Sequence, residues 1–259
     1  MPMNSSELDL ALKRLRLSGI QATLASRALQ VQQGRLSFLE GFSSLIQDEL
    51  DRRRSKWIER QFLLSGLVRP QALDDFDWSY NPKLPKGPAL ELLALQWVHA
   101  HEDALLIGSP GTGKSHIARA VGSAAVLAGL RVIYREAHVF FEDLAQATAL
   151  GARKKWMAQL SEADLLIIDD LALRRLPPTA GEELLETVMN RYGKRSTLIT
   201  SNRILEDWGK VLGDQTISSA ILDRLLHRGH LLKFEGRSYR LKQAAERATG
   251  RLAKEKSAQ

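Results

Sequence analysis

The chain has 259 residues, 44% of them hydrophobic and 26% charged, with no cysteine and a formal net charge of +7. These proportions belong to a folded globular protein and exclude a wholly disordered one. The missing cysteines exclude disulfides, thiolate metal sites and cysteine nucleophiles, and no apolar run nears the roughly 18 residues of a membrane span, so a cytoplasmic protein without a membrane partner is expected.

The positive charge sits at the two ends. Residues 1–70 hold eleven Lys and Arg against seven Asp and Glu, residues 237–259 hold seven against two, and the stretch between holds 19 against 21. A near-neutral body with basic ends points to termini that meet a polyanion, most often nucleic acid; for the last ten residues a solubilising bias is an equal reading.

Residues 1–69 carry no strand signal and read as a small all-helical domain that binds DNA or a partner. Ser6-Glu7-Leu8-Asp9 has capping-box spacing ahead of Leu8, Leu12 and Leu15, with Gly19 as the stop. A second helix carries Ile20, Leu24 and Ala28 and runs out at Gly34. Ser37-Phe38-Leu39-Glu40 opens a third, whose buried stripe is predicted as Phe38, Phe42, Leu45, Ile46 and Leu50 and whose pattern continues through Trp57 toward Leu64. Lys13, Arg14 and Arg16 form one basic cluster on these helices; Arg52, Arg53, Arg54 and Lys56, beside Trp57, form another. Such clusters neutralise phosphates without reading bases, with a solvated helix face as the competing reading. Neither resembles a recognition helix, so duplex DNA bound with little sequence preference is expected.

Pro70, Pro82, Pro85 and Pro88 mark residues 70–103 as a linker and the near edge of the next domain. Phe76 or Trp78 there can line a base pocket or anchor the linker. From 104 to 243, short apolar runs alternate with helical stretches, the pattern of a parallel sheet. Strands are predicted at Ala104 to Ile107, Arg131 to Arg135, Leu165 to Asp169, Thr197 to Thr200 and Leu231 to Phe234, and residues 244–259 read as a basic tail.

The strongest signal is Gly108-Ser109-Pro110-Gly111-Thr112-Gly113-Lys114-Ser115, a complete G-x-x-x-x-G-K-[ST] loop between a predicted strand and a predicted helix. Its glycines let backbone N–H groups face a triphosphate at a helix amino terminus, Lys114 reaches the β- and γ-phosphates, and the Ser115 hydroxyl ligates Mg²⁺. His116 follows within reach of the same nucleotide. The strand Leu165-Leu166-Ile167-Ile168-Asp169-Asp170 ends in two carboxylates; placed next to the loop strand, it offers Asp169 to Mg²⁺ and Asp170 to the attacking water, unless the pair caps the next helix. Thr197 to Asn202 is a third strand with a polar end, from which Asn202, Thr200 or Ser201 can face the γ-phosphate, or Asn202 can cap a helix at Ile204.

With Ala220-Ile221-Leu222-Asp223-Arg224-Leu225-Leu226 and Gly236-Arg237-Ser238-Tyr239-Arg240-Leu241, these motifs resemble AAA+ ATPases of the IstB type, the ATP-dependent helpers of insertion-sequence transposases and relatives of DnaC-type replicative helicase loaders. The resemblance covers nearly the whole chain, including Asp75-Phe76-Asp77. It implies an α/β fold, a P-loop AAA+ five-stranded parallel sheet flanked by helices, and ATP and Mg²⁺ as cofactors. It makes Asp169 the Mg²⁺-associated acid, Asn202 the sensor, Arg224 an arginine finger in the neighbouring subunit's site and Arg240 a second sensor. Asp170 stands where most AAA+ enzymes carry Glu, so a shorter carboxylate must reach the water. Arg224 beside Asp223 also reads as a solvated surface pair. Only nineteen residues follow Arg240, so the usual helical lid is expected to be absent or vestigial. The implied function is a homo-oligomer on duplex DNA that selects target DNA and recruits or activates a cognate transposase. A helicase loader, or a nucleotide-gated DNA scaffold with little hydrolysis, fits the same motifs.

Overall fold

The computed structural model describes residues 4–68, 70–74 and 76–247, which fall into two compact units, 1–60 and 61–259. Asp75 and residues 248–259 of the basic tail lie outside the described residues.

The first unit is helical. Helix α1 (Ser5–Arg14) is capped by Asn4, whose side chain accepts from the Glu7 N–H while Glu7 reaches back to the Asn4 N–H, so the capping box begins two residues before the predicted Ser6. The helix stops at Arg16, in the left-handed region at φ 57°, rather than at Gly19. Gly19 instead lies in the first turn of α2 (Ser18–Gln32) because a third helix passes too close for a side chain: a Cβ there would stand 2.7 Å from the Glu49 Cα.

That third helix, α3 (Phe38–Ser65), starts with the predicted box, Ser37 and Glu40 exchanging side-chain to backbone bonds, and runs as far as the pattern suggested. Its buried face is not the predicted one. Within this unit Phe38 is 77% exposed, and Phe42, Ile46 and Leu50 are exposed too, with Leu45 half-buried. Polar bonds choose the face instead. Buried Glu49 accepts the Gly19 N–H at 2.6 Å and pairs with Arg53 at 2.6 Å, Asp48 pairs with Arg27 at 3.0 Å, and Arg52 bonds the Ser18 hydroxyl. A carboxylate that caps α2 and neutralises Arg53 must face inward, which turns the apolar stripe out.

The second unit is a parallel sheet between helices. Short helices α4 (Lys86–Leu93) and α5 (Gln96–His99) lead into β1 (Asp103–Gly108), α6 (Lys114–Leu127), β2 (Val132–Glu136), α7 (Ala137–Ala149), α8 (Arg153–Glu162), β3 (Leu165–Leu171), α9 (Ala180–Arg191), β4 (Ser196–Ser201), α10 (Trp208–Leu212), α11 (Gln215–His227) and β5 (Gly229–Phe234). All five predicted strands are present, in the order β2-β3-β4-β1-β5 and parallel throughout. Hence β3 does not adjoin the loop strand as predicted; β4 stands between them. The three inner strands are almost wholly buried, with Leu106, Leu166, Ile168 and Ile199 inaccessible and Phe140, Leu144, Leu184 and Ile221 packed over the sheet, while the edge strands β2 and β5 are partly exposed. Arg191, also buried, donates to the Leu160, Ala163 and Ser196 carbonyls and to the Thr197 hydroxyl, tying α8, α9 and β4 together. Among the described residues no helix is long and apolar enough to cross a membrane.

Candidate nucleotide site

In a parallel sheet every carboxyl end opens on one side, and here the ends of β1, β3 and β4 carry the polar residues. The loop after β1 turns into α6 through Gly111 (φ 76°) and Gly113 (φ 105°), conformations that a side chain rarely adopts. At Gly113 there is also no room: a Cβ would lie 2.6 Å from the Phe76 ring. Lys114 is buried at the first position of α6, its amine donating to the Gly108 and Ser109 carbonyls at 2.8 Å each, while the Thr112 hydroxyl donates to Ser109 at 2.7 Å. Burial pulls the Lys114 pKa down to about 8, against the opposing pull of Asp170 and Asp169 and with a smaller push the same way from Arg240.

A cavity of about 450 Å³ opens over this loop. Residues 110 to 116 of the loop and helix start line it, with Asp170 and Asn202 at one side and Tyr239 and Arg240 at another. Gln71, Phe76, Tyr80, Asn81 and Leu84 form much of the remaining wall. The motif pattern left this wall unspecified beyond Phe76, because Tyr80 and Asn81 sit in no motif. Phe76 meets Trp78 and His116 as ring neighbours at 4.4 and 5.4 Å, so it both anchors the linker and faces the cavity. The Ala72 carbonyl can only accept, so His116 Nε2 carries the proton there (3.1 Å) and Nδ1 takes the Gln71 amide at 3.0 Å. Asn81 exchanges two bonds with the Arg237 backbone, at 2.8 and 2.9 Å, and the Tyr239 N–H donates to the Gly111 carbonyl at 2.9 Å. Residues 239–247 are helical, so a short helix after β5 closes over the phosphate loop.

The acid pair divides. Asp170 faces the cavity, where the Asn202 amide donates to its carboxylate at 3.3 Å; burial first and then the Asp169 charge push its pKa up, with Arg240 and Lys114 opposing. Asp169 is inaccessible and does not line the cavity. Its Oδ1 accepts the Thr200 hydroxyl at 2.5 Å and its Oδ2 the Tyr134 hydroxyl at 2.6 Å, with Arg119 at 3.7 Å. Thr200 and Ser201, offered by the sequence as alternatives to Asn202, are likewise fully buried, Ser201 bonding the Leu171 carbonyl at 2.9 Å. Neither the acids nor Asn202 caps the helix that follows it. Pairing of β3 with β4 slips between Ile168 and Leu171, so Asp169 and Asp170 together oppose Thr200 in a β-bulge, and Asp170 takes φ 56°.

The remaining candidates lie elsewhere. Arg224, on α11, is not among the residues lining this cavity; it donates to the Ala220 carbonyl at 2.8 Å and stands 4.0 Å from Asp223. Lys13, Arg14, Arg16, Arg54 and Lys56 are exposed in the first unit, whereas Arg52 and Arg53 are spoken for by Ser18 and Glu49. No group of three or more His, Cys, Asp or Glu among the described residues can hold a metal unaided. The donors that face the cavity, the Ser115 hydroxyl and the Asp170 carboxylate, are oxygens, which suits Mg²⁺ carried in with a triphosphate that supplies the other ligands; Asp169, expected from the sequence to meet the ion, is instead buried behind the cavity wall.

A family model described as "IstB-like ATP binding protein" matches residues 10–247. Over 248 residues the chain is 32% identical to an ATP-binding protein of insertion sequence IS21 from Pseudomonas aeruginosa, covering 96% of this chain and 93% of that one. An ATP-binding protein in an insertion sequence of Mycobacterium tuberculosis is 31% identical over 240 residues, covering 92% and 96%. Among solved structures, the DnaC helicase loader is similar with a TM-score of 0.50 at 23% identity, over 63% of this chain and 96% of that one. The replication initiator DnaA, bound to AMPPCP and single-stranded DNA, is similar with a TM-score of 0.56 at 22% identity, over 71% and 56%. At these identities the structural likenesses speak for the fold alone, and the fold is that of the AAA+ proteins.

Proposed function

The chain belongs to the IstB-like ATP-binding protein family, and from that premise we propose that it is an Mg²⁺-dependent ATPase that assembles on duplex DNA and recruits or activates a transposase in insertion-sequence transposition. The observation that carries this reading is convergence: Lys114, Asp170, Asn202 and Arg240, from four separate segments, meet around one cavity over the phosphate loop. Lys114 meets the β- and γ-phosphates, and Arg240 adds a second cation beside them. The Ser115 hydroxyl would hold Mg²⁺, which when bound draws charge off the phosphate oxygens, whereas Asp169, inaccessible and with both carboxylate oxygens bonded to hydroxyls, does not reach it. Asp170 takes the proton of the attacking water or orients it, and burial and the Asp169 charge, which raise its pKa, make it a better proton acceptor than a free carboxylate. Asn202 fixes that carboxylate.

Arg224 stands outside its own chain's cavity, which supports a finger offered to a neighbouring subunit and hence an obligatory oligomer. The naming of the relatives for insertion sequences supports transposition, with a transposase as partner, over helicase loading. A nucleotide-gated DNA scaffold with little hydrolysis is the second reading, favoured by the short Asp170 side chain already engaged by Asn202.

Steady-state phosphate release with and without duplex DNA tests the proposal. Wild type should turn over ATP faster on DNA, Lys114→Ala should lose nucleotide binding, and Asp170→Asn should bind ATP while losing turnover. Nucleotide affinity unchanged in Lys114→Ala refutes the phosphate-loop assignment, and wild type bound to ATP without turnover leaves the scaffold.

A further inference from the structure

We propose that Thr200 is a positioning residue for the candidate base: its buried hydroxyl locks the bulge that aims the Asp170 carboxylate into the cavity, with Tyr134 pinning Asp169 as the fixed point of that lock. The kinetic part rests on the ATPase reading above; the structural part does not.

The protons in this network have one arrangement. The Asp170 N–H can only donate, and it points at the Thr200 oxygen at 2.8 Å and at Asp169 Oδ1 at 3.1 Å. Thr200 therefore receives at its lone pair and spends its single proton on Asp169 Oδ1, at 2.5 Å. On the other side Arg119 Nε donates to the Tyr134 oxygen at 2.9 Å, so the Tyr134 proton goes to Asp169 Oδ2 at 2.6 Å. Each carboxylate oxygen of an inaccessible aspartate thus holds a hydroxyl, and the same threonine holds the backbone of the next residue.

That backbone needs holding. Asp170 at φ 56° and Ala172 at φ 68° are non-glycine residues in the left-handed region, a conformation that persists where its surroundings over-determine it. Thr200 and Asp169 do not line the cavity, whereas Asp170 does, so the threonine acts on nucleotide chemistry only through Asp170. Valine has the same shape, but it leaves Asp169 Oδ1 without its hydroxyl donor and the Asp170 N–H with only its longer contact.

Two readouts test the lock. In nucleotide-free protein, hydrogen exchange followed by mass spectrometry should show the amide of Asp170, in peptides spanning residues 165–172, exchanging about tenfold faster in Thr200→Val than in wild type. In phosphate release, Thr200→Val should lower kcat on the order of 10- to 100-fold, as loss of an orienting partner does at other sites, with ATP affinity within about threefold of wild type. Thr200→Ser, which keeps the hydroxyl, should restore both. Added to Asp170→Asn, Thr200→Val should cost less than about twofold more, because the group it aims is already disabled.

Unchanged exchange in folded Thr200→Val overturns the lock whatever the protein does with ATP. Faster exchange with unchanged kcat, or an equal loss of kcat in the Asp170→Asn background, overturns the positioning role. If wild type hydrolyses nothing, it is the ATPase reading that fails, and the exchange result still decides the lock. Should Thr200→Val not fold, Tyr134→Phe frees Asp169 from the other side and should move the same amide and the same kcat in the same directions; no change in either refutes the network.

Discussion

Lys114 links nucleotide affinity to pH in a way that its buried position dictates. Its amine has a pKa of about 8 in the nucleotide-free chain, so it is a cation at pH 7 and mostly neutral at pH 9. A bound triphosphate surrounds the same amine with negative charge and holds the proton across that range. The group is depressed when free and raised when bound, so affinity is full below about pH 7 and is lost as the pH rises through the free pKa. If the free value is about 8 and the bound value returns to about 10.4 or higher, the apparent Kd rises about tenfold between pH 7 and pH 9, or about 1.4 kcal/mol. At pH 8.5 each binding event then takes up about 0.75 of a proton, by the same linkage. Isothermal titration in two buffers of different ionisation enthalpy reads the uptake directly, and the final phosphate ionisation, near pH 6, lies below the window. Lys114→Arg stays charged throughout and should bind with a flat pH profile whatever its affinity. A wild-type Kd unchanged from pH 7 to 9.5, with no buffer-dependent heat, would refute the argument that burial governs this amine.

DNA affinity should fall steeply with salt, and removing exposed Arg54 and Lys56 should lower the slope of log affinity against log salt by about one unit per contact. Arg53→Ala, by contrast, should lower the melting temperature of the helical unit, since Arg53 neutralises the Glu49 that caps α2; slope and stability changing the other way round would reverse these assignments. Arg224→Ala should keep ATP binding and lose hydrolysis by about 10³-fold or more, and mixing it with Lys114→Ala on DNA should restore part of the activity through interfaces that are whole. A mixture that stays inactive while both variants co-assemble by light scattering leaves Arg224 as the surface partner of Asp223. Arg191→Leu should destabilise by about 3–5 kcal/mol, because Asp103 and the acceptors at the end of α8 and on β4 lose the buried cation that α9 supplies. That is roughly 10 °C in thermal unfolding, and an unchanged melting temperature would refute it.

The strands and the phosphate loop were legible because each is a local pattern: an apolar run of strand length, and glycines where backbone N–H groups must face phosphate. Strand order is set by pairing between residues far apart, and nothing in the run from Leu165 to Asp170 says that β4 will stand between it and β1. The same limit applies to α3, where the apolar spacing of Phe38, Phe42, Ile46 and Leu50 is plain, yet the inward face belongs to Glu49 and Asp48, whose partners lie on α2. Asp169 and Asp170 were found as a pair, but which one enters the cavity depends on a bulge that only the β3–β4 register reveals. Tyr134 went unassigned, and Thr200 was offered only to the γ-phosphate, for a related reason: an aromatic residue in a buried strand reads as core, a polar strand end reads as facing the ligand, and their hydroxyls find their partner only once Asp169 is seen between them.

The two outer walls of the cavity, Gln71 to Leu84 and Tyr239 to Gln243, lie far apart in the sequence of the second unit, and the Asn81 amide joins them by two hydrogen bonds to the Arg237 backbone. A nucleotide seated between them is a clasp on these two distant segments, and by mass action each tenfold excess of nucleotide over its Kd adds about 1.4 kcal/mol to the grip. ATP and ADP should therefore be readable as protection of both segments from a protease. A fragment trimmed to the sheet, the phosphate loop and the acid pair would keep the chemistry and lose the clasp.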